Sequence, residues 1–223
     1  MHFFDGIFDP KIASSFLGAA VGFGAFALSR IKQKFLVKKK RPVLATPEGN
    51  VAGGGEITTL SKYGKKQLVN MILVGSYIFM MQMVDFTIIG GEVGHFLGGA
   101  LAGILLGPFA GMIVISLILI IQAFFLADGG VIALGINIFN MAIIGAVGGY
   151  YIFTYLKKNI KQKAVIVILS VWLSVIFAAL AYQFESMLVG EVFNTAFIQT
   201  HMIVGFAEGF ITLLMLRAFN YKK

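Results

Sequence analysis

Phe96-Leu97-Gly98-Gly99-Ala100-Leu101-Ala102-Gly103-Ile104-Leu105-Leu106-Gly107-Pro108, followed by the apolar run 109–126, is the stretch on which the topology turns. It reads either as one kinked membrane crossing or as two. At about 1.5 Å per helical residue, 96–106 reaches only about 17 Å, short of the roughly 30 Å hydrocarbon core of a bilayer. Charge separates the two readings. With one crossing, the later basic run Lys157-Lys158-Asn159-Ile160-Lys161-Gln162-Lys163 falls on the side opposite the basic stretch that begins at Arg30. With two crossings both lie on the same side, as the positive-inside bias requires. Two crossings are therefore expected, with the short helix wrapped by protein, where irregular backbone is tolerated.

The rest of the chain agrees with a membrane setting. Of its 223 residues 58% are hydrophobic and 13% charged, against about 25% charged in a soluble domain. Further apolar segments cover 12–31, 68–84, 131–156, 164–184 and 193–219. The expectation is an all-α integral membrane protein of about seven transmembrane helices, N-terminus outside and C-terminus cytoplasmic. All eighteen Lys and Arg except Lys11 then face inward. The net charge of +8 is a topology signal, and nucleic acid is not an expected partner. Asp5 and Asp9 precede the first apolar run and the basic cluster follows it, the reverse of a signal peptide. Residues 1–223 read as a single membrane domain, with an N-terminal segment 1–11 and a cytoplasmic basic loop at about 32–66.

That loop carries Arg30, Lys32, Lys34, Lys38, Lys39, Lys40, Arg41, Lys62, Lys65 and Lys66 around Pro42, Pro47 and Gly53-Gly54-Gly55. It reads as a flexible connection, with docking of a partner or of anionic lipid as the other reading. In the first helix Gly18 and Gly22, like Ala20 and Gly24, lie four apart. Such spacing lets a second helix approach closely, whether inside the chain or from a partner.

The chain has no cysteine, so any metal site uses nitrogen, oxygen or methionine sulfur. The histidines are His2, His95 and His201. Met1-His2 can chelate through three nitrogens: the α-amine and the residue-2 amide close a five-membered ring, and the same amide with His2 Nδ1 closes a six-membered one. A fourth ligand would complete a plane, and planar nitrogen coordination points to Ni²⁺ or Cu²⁺. Histidine is a large second residue, so Met1 should be retained. Its amine must lose a proton to bind, so affinity should weaken in acid. On the residues alone a histidine at position 2 is more often incidental, and His95, after a glycine-rich turn and opening the short helix, is more often structural. His201, near Glu208, reads first as a packing residue. The expected outer loops also hold Asp5, Asp9, Asp85, Glu92, Asp128, Glu185 and Glu191, a face that attracts cations. Asp5, Gln82, Asn137, Asn140 and His201 are candidates to orient ligands, and interhelical hydrogen bonding is the other reading of the buried ones.

Four stretches of sequence resemble one family. Met1-His2-Phe3-Phe4-Asp5-Gly6 resembles the M-H-x-x-[DE]-G start of the CbiM/NikM proteins, the substrate-binding (S) components of nickel/cobalt energy-coupling-factor transporters. Residues 90–108 are similar to that family's G-G-x-x-G-H-L block ending in I-L-L-G-P. Gln122-Ala123 through Asp128-Gly129-Gly130, with Leu134-Gly135-Ile136-Asn137-Ile138-Phe139-Asn140-Met141, is similar to its Q-A…G-G…L-G-x-N-x-[FI]-N-M block, and 201–209 resembles its last helix. The resemblance implies that the metal is held by the Met1 amine, the His2 amide and ring, and His95. It implies Ni²⁺ or Co²⁺ as transported substrate in a prokaryotic cell membrane. The implied partners are a membrane coupling (T) protein and ABC-type ATPase subunits; in related systems a small accessory membrane protein also takes part. Phe3-Phe4 replaces the usual aliphatic-proline pair, and Phe96 replaces the leucine after the histidine.

The chain shows no G-x-x-x-x-G-K-[ST] loop, so it is read as a transport component without its own ATPase, not as an enzyme. Two alternatives remain at this point. One is a stand-alone ion-coupled carrier, for which Glu208 is the candidate coupling carboxylate. The other is a membrane-embedded metalloenzyme using His95, His201 and Glu208, although H-E-x-x-H is missing.

Overall fold

The structure, a computed structural model, describes residues 2–40, 44–45, 51–52 and 56–219. Met1, Pro42, Pro47 and Gly53-Gly54-Gly55 lie outside the described residues. The helices are α1 (Pro10–Phe35), α2 (Lys62–Gln82), α3 (Gly99–Leu106), α4 (Pro108–Ile121), α5 (Leu134–Ile138), α6 (Gly149–Asn159), α7 (Lys163–Leu188) and α8 (Thr195–Ala218). A π-helical turn, Gln122–Leu126, extends α4, and a longer one, Phe139–Gly148, joins α5 to α6. Short strands are β1 (Leu36–Lys40), β2 (Leu44–Ala45), β3 (Val51–Ala52), β4 (Glu56–Leu60), β5 (Asp85–Thr87) and β6 (Val93–His95).

Local chemistry explains where the helices start. Asp9 accepts from Lys11 N–H at 2.8 Å with Pro10 at the first helical position, Ser61 accepts from Gly64 N–H at 2.9 Å, and Asn194 accepts from Phe197 N–H at 3.1 Å. Each side chain satisfies an N–H that the helix cannot. Among the described residues five helical rods are long and apolar enough to cross a membrane: Pro10–Phe35, Pro108–Leu126, Leu134–Asn159, Lys163–Leu188 and Thr195–Ala218. The chain is thus largely helical, with two more helices, α2 and α3, packed among those rods.

The short helix α3 is enclosed by protein, as its length demands. All its residues except Leu105 are buried. Gly103 sits where a Cβ would fall 2.2 Å from the Ala146 carbonyl oxygen, and Gly111 where one would fall 2.7 Å from Gly103 N. Three backbones therefore touch: α3, α4 and the π-helical segment. Around this centre α7 packs along α8, and α1 lies against α4 and α5.

The structure departs from the sequence reading at four places. The basic connection is not wholly irregular: α1 runs on to Phe35, and β1 pairs antiparallel with β4, Leu36 opposite Leu60, with Lys38 3.0 Å from Glu56. The glycine-rich turn before His95 closes a small hairpin in which Asp85 pairs with His95. His95 ends a strand and does not open the helix, because Gly98 takes a left-handed φ of 71° and α3 begins only at Gly99. Glu185, expected in an outer loop, lies in α7 and is buried, because Asn140 Nδ2 donates to it at 2.5 Å.

Gly103→Leu should lower the thermal unfolding temperature of the detergent-purified protein, by overpacking worth at least about 1–3 kcal/mol. Gly18→Leu should leave it unchanged, since a Cβ at Gly18 meets nothing within 4 Å.

Candidate metal centre

The N-terminal segment is sewn onto one end of the bundle. Asn137, 2% exposed, accepts the Phe3 N–H at 2.9 Å and donates Nδ2–H to the Phe3 carbonyl at 3.1 Å. That carbonyl also accepts Gly130 N–H at 2.8 Å. Asp5 accepts the N–H groups of Val131, Ile132 and Ala133 at 3.1, 2.7 and 3.2 Å. The Phe3 ring is buried, stacked on Tyr182 with centroids 3.9 Å apart and edge-on to Phe8 at 4.8 Å. Burying a ring of this size stabilises the docked segment by about 1.5–3 kcal/mol.

With Phe3 pinned, His2 is carried to His95. Their ring centroids are 4.8 Å apart at 40°, and both side chains are buried. His2 Nδ1 lies 2.8 Å from Asp128 Oδ1. Burial lowers the His2 pKa below its ordinary value, although the Asp128 hydrogen bond pulls it up. The same bond holds the Asp128 carboxyl below the usual carboxylate range, against the opposing effect of its own burial. At neutral pH the pair is thus a neutral imidazole donating Nδ1–H to an ionised carboxylate. That tautomer leaves a lone pair on Nε2, which is buried and makes no hydrogen bond among the described residues. The chelate expected from the sequence uses Nδ1 instead, so forming it requires the ring to turn and Asp128 to release that nitrogen.

His95 Nδ1 lies 3.1 Å from the Phe96 carbonyl oxygen. Among the described residues no three His, Asp or Glu side chains gather closely enough to hold a metal by themselves. Two imidazoles meet here.

The other candidates divide. Asp5 and Asn137 fix the segment bearing His2. Gln82 reaches the loop after His95, donating to the Leu97 carbonyl at 2.7 Å and accepting from Gln122 at 3.0 Å. Asn140 pairs with Glu185, not with a histidine. His201 closes an aromatic ladder, Phe3–Tyr182–Phe197–His201, packed on Phe197 at 4.1 Å with Nδ1 2.8 Å from the Phe197 carbonyl oxygen. Sequence reading missed Asp128 as the partner of His2, having counted it only among the outer acids. Its position beside Gly129-Gly130, whose backbone receives Phe3, was the available signal.

In the metal-free protein Asp128→Asn should move the His2 ring titration, followed by NMR, further down, because a group that raises the pKa is removed while burial still lowers it.

The comparisons with known proteins converge on one family. The model described as CbiM, cobalt uptake substrate-specific transmembrane region, matches residues 49–223. A putative metal transport protein of Haloquadratum walsbyi is 35% identical over 95% of this chain and 86% of its own length. The putative fused nickel transport protein NikMN of Archaeoglobus fulgidus is 32% identical over 81% of this chain, which spans only 50% of that protein. The cobalt transport protein CbiM of Acetoanaerobium sticklandii is 32% identical over 52% of this chain and 48% of its own. A crystal structure described as a transition metal transporter superposes with a TM-score of 0.78 at 25% identity, covering 99% of this chain and 92% of that one. With its apolar helical rods and its match to that family over most of its length, the chain belongs to the CbiM family of cobalt- and nickel-transport components and is a multi-pass membrane protein.

Proposed function

We propose that the chain captures Ni²⁺ or Co²⁺ at the outer membrane face and serves as the substrate-specific component of an ATP-driven energy-coupling-factor transporter. The observation that carries this reading is the burial of His2 against His95 at the end of the bundle, with centroids 4.8 Å apart. Two neutral imidazoles in one buried pocket suit a nitrogen-preferring ion. The Met1 amine and the His2 amide supply the remaining donors, a planar set of four nitrogens. In this reading seven helices cross the membrane, with the N-terminus outside and the C-terminus inside. The short α3 crosses only as part of its protein surroundings, and the basic ends of α1, α2 and α6 face the cytoplasm. Energy comes from a membrane coupling protein and ATPase subunits. The carrier and metalloenzyme alternatives both need Glu208 to act on a substrate, yet its two oxygens accept the backbone N–H groups of Leu97 and Gly98.

One added residue before Met1 should abolish high-affinity Ni²⁺ or Co²⁺ binding by the purified protein, because it converts the amine ligand into an amide. His95→Ala should do the same. Wild-type affinity in the extended protein would overturn the proposal.

A further inference from the structure

Glu208 is a carboxylate 1% exposed in the middle of α8, and the capture reading gives it no task. An ionisable side chain at such a depth is costly and marks function. Both its oxygens are committed: Leu97 N–H donates to one and Gly98 N–H to the other, the second at 3.2 Å. These residues directly follow His95-Phe96. From the opposite side Gln82 of α2 donates to the Leu97 carbonyl, and Gln122, beyond α4, donates to Gln82. The Leu97 residue is therefore held at its N–H by α8 and at its C=O by α2. The turn cannot relax by shifting Gly98, which is left-handed and packed so closely that a Cβ would fall 2.6 Å from Ile78 Cγ2. A carboxylate accepts two N–H donors; a carboxamide has one accepting oxygen, and its NH₂ would face the second donor.

We propose that Glu208 is a positioning residue for His95. It holds the 96–98 turn from α8 while Gln82 holds it from α2, so displacing α8 relative to α2 draws His95 from His2 and loosens the metal. This rests on the reading of His2 and His95 as the metal pair.

The test uses the full chain, purified and loaded with Ni²⁺, and follows chelator-induced release together with the ligand-field absorption of the bound ion. Glu208→Gln should release nickel about 10–100-fold faster and shift the absorption band. Thr212→Val, one turn along α8 and 0% exposed, should change neither. Gln82→Met should act in the same direction as Glu208→Gln, and it carries the test where Glu208→Gln does not fold. Wild-type release and spectrum in the folded variants overturn the proposal. So does a loss of metal-free thermal stability with release and spectrum unchanged, which is what a purely structural role gives. Wild-type protein that holds neither nickel nor cobalt overturns the capture reading itself and the proposal with it.

Discussion

The two-ended hydrogen bond between Asn137 and Phe3 is the constraint on which the site depends. A buried carboxamide needs both a donor and an acceptor, and so does a buried peptide. Asn137 and Phe3 satisfy each other, at 2.9 and 3.1 Å. Each such bond is worth only about 0.5–1.5 kcal/mol net, but a buried group left unpaired costs more, so the register is strongly preferred. Asp5 repeats the logic by accepting three successive N–H groups at the start of the next rod. Once Phe3 and Asp5 are placed, His2 has little freedom, and it lies against His95.

The second histidine is held by a different device. His95 sits at the end of a two-stranded hairpin, and the turn after it is tied to α2 and α8 through Gln82 and Glu208. The site thus joins two independently anchored segments, one sewn to the start of α5 and one strung between α2 and α8. A metal that bridges the two rings couples these parts of the bundle. In the proposed reading such a pair responds to helix movement, as a component that takes up and releases an ion requires.

Much of this was legible in the sequence, for identifiable reasons. The helix positions follow from apolar run length and charge, and the enclosure of α3 follows from its being too short to face lipid alone. The pairing of His2 with His95 was legible only through the family resemblance of the blocks that carry them. What could not be read were contacts made by polar side chains across the bundle. Glu185 looked like a loop acid because nothing local announces Asn140 as its partner. The π-helical segments, which carry Gln122 and Asn140, leave no periodic signature distinct from an ordinary helix. Asp128 was visible as an acid but not as the residue that sets the His2 tautomer, since that depends on a chain reversal 126 residues away in sequence.

The central claim is that His2 and His95 ligate one ion together with backbone nitrogens. X-ray absorption at the nickel edge of the loaded, purified protein tests it most directly. The account predicts a shell of nitrogen donors with the outer-shell scattering of two imidazole rings. A shell of six oxygens, or one without imidazole scattering, would contradict it.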